Sequence, residues 1–154
     1  MQRRTFLKGT LATSTLAIVA SAGMLNPRTV LAAWPKSAFE AKTVDDALTS
    51  LFGNAQTTPS ADIKIKAPDI AENGAVVPIT ITSSIPGIES ISIVTIKNGN
   101  PLAGNFLMSS NTKGFISTRI KMGKTSDVVA IIKAGGKSHA ARKNIKVTIG
   151  GCGG

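Results

Sequence analysis

Hydrophobic residues change their spacing along this 154-residue chain, and each spacing marks a different element. Residues 11–25 form an apolar, small-residue run. Further on, Val44, Leu48, Leu51 and Phe52 stand at i, i+4, i+7 and i+8, which places them on one face of a helix. Thr43 precedes them as an N-cap, and Asp45 and Asp46 occupy the first turn, where the helix dipole favours carboxylates. Gly53 follows as a C-cap. The pattern predicts a short helix packed on the domain edge within a helical, turn-punctuated segment 34–61. Its polar end, 54–60 with Pro59, reads as a linker.

From Asp62 onward the period is two. Ile63 and Ile65 alternate with Lys64 and Lys66; Val77, Ile79 and Ile81 alternate with Pro78, Thr80 and Thr82. These are strands with one buried face. Proline donates no ladder hydrogen bond, so the strand of Pro78 is expected at a sheet edge or bulged there. Ile91 and Ile93 are set against Val94 and Ile96, which suggests a bulge. Asn98, Gly99, Asn100 and Pro101 make a turn, and strands are expected over 102–109, 115–122 and 127–134. The run 128–132 is apolar on both faces, as in a central strand. Gly135 and Gly136 make a hairpin turn into a last strand over 137–149, long or bulged, with Ile145, Val147 and Ile149 as its inward row.

β-Rich segments at short spacing with Gly and Asn turns predict an all-β fold, an immunoglobulin-like antiparallel β-sandwich with a short N-terminal helical segment. A barrel is the alternative. The length suits one domain with a real core, over 34–149.

The first 33 residues read as an address. Arg3-Arg4-Thr5-Phe6-Leu7-Lys8, the apolar run, and Val30-Leu31-Ala32-Ala33 follow the order of a signal peptide: charge, hydrophobic stretch, small-residue cleavage site. The paired arginines resemble a twin-arginine signal, which predicts a periplasmic protein cleaved after Ala32 or Ala33. Thr13, Ser14, Thr15 and Ser21 interrupt the apolar character that an uncleaved membrane anchor needs. The twin-arginine route carries folded proteins, often with a partner attached, so a leaderless partner exported in a preformed complex is expected.

Charge adds to this picture. Lys and Arg total 18 against 8 Asp and Glu, yet nucleic acid is a poor fit: the chain has no Tyr and one Trp, and only Arg119 and Arg142 lie beyond the leader. Bases concentrate in the second half, where Asp127 is the one acid from Lys113 to Ile149. A basic field at the tail's end of the domain is therefore expected, either as a solvated face or as a surface for acidic partners or anionic substrates.

Residues 150–154 read Gly150-Gly151-Cys152-Gly153-Gly154, a flexible arm carrying the chain's one cysteine. Without Cβ atoms the flanking residues sample all of backbone space and present the smallest peptide cross-section, so the thiol can enter a narrow channel. His139 is the one histidine, in a polar hairpin strand with no fellow ligands, so no metal site and no cofactor are expected. No base is held beside Cys152, so the chain is expected to be no enzyme; a partner must activate the thiol.

Leader, β-sandwich and terminal Gly-Gly-Cys-Gly-Gly together resemble the SoxY family, the carrier subunit of periplasmic thiosulfate oxidation. The resemblance implies that Cys152 carries sulfur substrate covalently and that Gly150, Gly151, Gly153 and Gly154 form its swinging arm. It implies a leaderless sandwich partner, a SoxZ-like subunit, in a heterodimer. It further implies a haem enzyme that couples thiosulfate to the cysteine, a di-manganese hydrolase that releases sulfate and, in some systems, a molybdenum sulfane dehydrogenase. Two rivals stand beside it. A structural or interaction protein could use Cys152 for an intermolecular disulfide, which requires no glycine on both sides. A carrier activated at its terminal Gly-Gly carboxylate would act in the cytosol and have no use for Cys152. Prenylation is excluded, since only two residues follow the cysteine.

Overall fold

The computed structural model describes residues 35–148. Two helices come first, α1 (Lys36–Glu40) and α2 (Val44–Phe52). Nine strands follow: β1 (Thr58–Pro59), β2 (Ile63–Lys66), β3 (Ile70–Ala71), β4 (Val77–Ser83), β5 (Ile88–Thr95), β6 (Leu102–Leu107), β7 (Phe115–Ile120), β8 (Ser126–Ala134) and β9 (Lys137–Val147). The expected caps of α2 are present. Thr43 Oγ1 accepts from Asp46 N at 3.1 Å, and Gly53 takes the left-handed conformation at φ 80°.

The strands form two facing sheets. The larger has the order β1-β9-β8-β5-β6 with β3 also on β9; the smaller is β2-β4-β7. Between them lies the main core of Val77, Ile79 and Ile81 from β4, Ile91 and Ile93 from β5, Val128, Ala130 and Ile132 from β8, and Ile145 from β9. Alternation puts every second residue of these strands inward. On β4 the intervening Pro78 and Thr82 are exposed. This is the immunoglobulin-like sandwich the spacing predicts.

Three features differ from expectation. The helices are a third layer, not an edge: Ala38, Ala47 and Leu48 pack on Val94, Leu102, Val129 and Ile131, the outer face of the larger sheet. That cover explains why β5 and β8 are apolar on both faces. The bulge read at Ile93 and Val94 is present, in the pairing of β5 with β6. The alternation of β5 runs unbroken there, and its pairing with β8 stays in register (Ile93 with Ala130, Val94 with Val129). The extra residue is Ala103 on β6, skipped between the Ile93–Gly104 and Val94–Leu102 pairs.

The second difference is that the sheets are not wholly antiparallel. The supposed linker contains β1, which runs parallel to β9 beside His139 and Ala140, and β3 runs parallel beside Lys146 and Val147. Between these two contacts the chain crosses to the smaller sheet as β2 and returns, so one segment borders both sheets. Lys143 pins the crossing, donating to Ala67 O at 2.8 Å and pairing with Asp69 at 3.0 Å.

Third, β4 is the middle strand of its sheet, not an edge. Pro78 is tolerated because the β2 ladder stops at Lys66–Thr80, leaving β4 a partner on one side only at Pro78, opposite Arg119 of β7.

Candidate functional site

Cys152 and the glycines Gly150, Gly151, Gly153 and Gly154 lie outside the described residues, as do the predicted leader and Ile149. What the structure describes is the root from which they extend. β9 ends at Val147, and its end is held from two sides. Val147 N donates to Thr125 Oγ1 at 2.9 Å, and Thr148 N donates to Ala71 O at 3.1 Å. Gly74 closes the contact: a Cβ at this position would overlap the Met122 carbonyl oxygen and stand 2.8 Å from Val147 Cγ1. Met122 N donates to Gly74 O at 2.7 Å, fixing the two loops together. The arm therefore begins from a strand end locked into the sandwich.

Three loops share this end of the molecule: 72–76, 96–101 and 121–125. Asn98 joins the latter two, donating through Nδ2 to Lys121 O at 2.7 Å and accepting from Gly123 N at 3.0 Å. Asn100 ties the middle loop to the helix layer, donating to Phe39 O at 2.8 Å and accepting from Lys42 Nζ at 2.7 Å. Loops 96–101 and 121–125, with Ala103 of β6, frame a concavity of about 640 Å³ lined by Lys97, Lys121 and Lys124.

The charge expectation is met only in part. Lys121 and Lys124 do lie at the root of the arm. Lys133 and Lys137 lie at the far end of β9, about 33 Å away at ~3.3 Å per residue. That distance exceeds the screening length of ~8 Å at physiological salt, so the bases of the second half do not act as one field. Lys133 is also engaged locally, 3.9 Å from Glu89 and 5.7 Å from the centre of the Phe52 ring.

His139 is half-buried in β9 opposite Ile132, with Thr58 on its other side. Among the described residues no group of three or more His, Cys, Asp or Glu is placed to hold a metal ion. No helix among them is long and apolar enough to cross a membrane.

The family of sulfur oxidation protein SoxY matches residues 48–152, a span that takes in the second half of α2, every strand and Cys152. The chain belongs to the SoxY family. In agreement, the chain is similar to the sulfur carrier protein SoxY from Chlorobium limicola f thiosulfatophilum. The identity is 44% over 70% of this chain and 97% of that one, with a TM-score of 0.63. A superoxide reductase (neelaredoxin) from Ignicoccus hospitalis shares the fold alone, at 21% identity over 56% of this chain and 80% of that one, with a TM-score of 0.51. No curated protein matches the chain.

The sequence showed the resemblance to SoxY, which the comparisons bear out, but gave no sign of the concavity beside the end of β9. Its residues were in view only as two separate turns.

Proposed function

We propose that the chain is a covalent carrier of sulfur intermediates in thiosulfate oxidation, holding its cargo on Cys152 and presenting it to visiting enzymes. The observation that carries this is the extent of the family match, which runs through the last strand to the chain's single cysteine. The relative at 44% identity is named a sulfur carrier.

In this reading a haem enzyme removes two electrons while the Cys152 sulfur bonds to the sulfane sulfur of thiosulfate. Cys–SH and S₂O₃²⁻ give Cys–S–S–SO₃⁻, one proton and two electrons, the electrons going to the haem enzyme. A di-manganese hydrolase then adds water across the S–SO₃ bond, leaving Cys–S–SH and HSO₄⁻. In systems with a molybdenum sulfane dehydrogenase, that enzyme takes six electrons from Cys–S–SH while three waters supply oxygen, giving Cys–S–SO₃⁻ and seven protons. The chain supplies none of these redox or hydrolytic steps. It supplies a thiol at the end of a glycine arm, rooted in a strand end that Thr125 and Ala71 hold in place.

The working unit is a heterodimer with a SoxZ-like subunit, exported to the periplasm by the twin-arginine leader. The test is intact mass of the mature protein from thiosulfate-fed cells, alongside a Cys152→Ser strain. A sulfur adduct localised to Cys152, and loss of thiosulfate oxidation in a Cys152→Ser protein that keeps its thermal stability, are expected. An adduct on Gly154, or full oxidation by Cys152→Ser, overturns the assignment.

A further inference from the structure

We infer that the lysine concavity beside the arm's root is an oxyanion site that receives the sulfonate end of the arm's own cargo. The inference rests on Cys152 as the attachment point. Three observations carry it. First, Lys97, Lys121 and Lys124, all exposed, line one concavity with no carboxylate among its lining residues, and among the described residues none of the three has an ion-pair partner. Like charges brought together repel, so an arrangement of this kind is stabilised by an anion between them. Asp127, the one acid in the second half, is turned to Asn144, whose Nδ2 donates to it at 2.7 Å.

Second, the concavity is built on a fixed frame. Asn98 fastens one wall to the other with two hydrogen bonds, and Asn100 fastens the rim to the helix layer while holding Lys42 at 2.7 Å. A fixed frame confines the freedom lost on binding to the lysine side chains themselves. Third, the site is within reach. Lys124 is next in sequence to Thr125, which accepts from Val147 N at 2.9 Å. The four residues from Thr148 to Cys152 extend at most ~14 Å, at ~3.3–3.6 Å each.

The tether decides which oxyanion occupies the site. A short linker gives an effective concentration in the millimolar range, so even a millimolar intrinsic affinity leaves a tethered sulfonate bound about half the time. A free oxyanion at tenfold lower concentration occupies it only about a tenth of the time. The site thus parks Cys–S–S–SO₃⁻ on the carrier between visits, and releases the arm once the sulfonate has left as sulfate and Cys–S–SH remains.

The test uses the full mature chain in three forms. In one, the Cys152 thiolate is treated with tetrathionate, which forms Cys–S–S–SO₃⁻ and expels thiosulfate. In the second, iodoacetamide caps Cys152 with a neutral group. The third is Cys152→Ser with free thiosulfate added. Backbone amide shifts at 97–100 and 121–124 are read by NMR. The expected result is a shift in the first form that is absent from the second, weakens at about 0.3 M salt, and vanishes in a Lys97→Gln/Lys121→Gln/Lys124→Gln variant whose other amides are unmoved. Free thiosulfate is expected to reproduce it only at millimolar concentration. No difference between the first two forms overturns the site, and saturation by micromolar free thiosulfate overturns the tethered occupant. Because the adduct is made chemically, the outcome is independent of whether Cys152→Ser stops oxidation in cells.

Discussion

Gly74→Ala tests whether the root of the arm is held as tightly as the contacts indicate. The new Cβ would overlap the Met122 carbonyl oxygen and lie 2.8 Å from Val147 Cγ1, inside ordinary van der Waals distance. Val147 can turn its side chain away, but the Met122 carbonyl is backbone. Moving it strains the Met122 N to Gly74 O bond, 2.7 Å in the native chain. Overpacking costs ~1–3 kcal/mol and a lost hydrogen bond about 1 kcal/mol more, so a loss of ~2–4 kcal/mol is expected. At about 4 °C per kcal/mol for a domain of this size, Tm falls by ~8–16 °C. Hydrogen exchange at the Val147 and Thr148 amides is expected to accelerate more than exchange in β8, because the strain enters at the end of β9. Gly99→Ala is the control: its Cβ meets nothing within 4 Å and its φ is not positive, so Tm should hold or rise slightly. A Gly74→Ala protein with Tm within ~2 °C of the native chain and unchanged exchange at Val147 would refute the reasoning.

Other substitutions probe the layers separately. Ile132→Ala removes a side chain that is fully buried between the two sheets, and a loss of ~2–5 kcal/mol is expected in denaturant titration. Gly136→Ala forces a side chain onto a backbone at φ 73°, costing ~1–2 kcal/mol, and slows refolding if the β8–β9 hairpin forms early. Thr43→Ala deletes the oxygen that accepts from Asp46 N, and about 1 kcal/mol of stability with it; exchange should quicken in α2 ahead of the sandwich strands.

Much of the sandwich was legible because its signals are local. The alternation of Val77, Ile79 and Ile81, the glycine pair at the hairpin and the caps of α2 each lie within a few residues of what they specify. Where the reading missed, the cause was a partner distant in sequence. β1 and β3 are two-residue strands that exist only because β9 offers an edge to each. Val94 looked like a change of phase because nothing in its neighbourhood reveals that helices cover it.

By itself the sequence determined the strand-rich class, the helix and its caps, and a single cysteine between glycine pairs at the terminus. Those follow from side-chain chemistry and short-range backbone preference. Only the tertiary structure decided that two turns, one holding Lys97 and the other Lys121 and Lys124, share one concavity beside the end of β9. Asn98 joins them across 23 and 25 residues of sequence, and a hydrogen bond over that separation has no local signature.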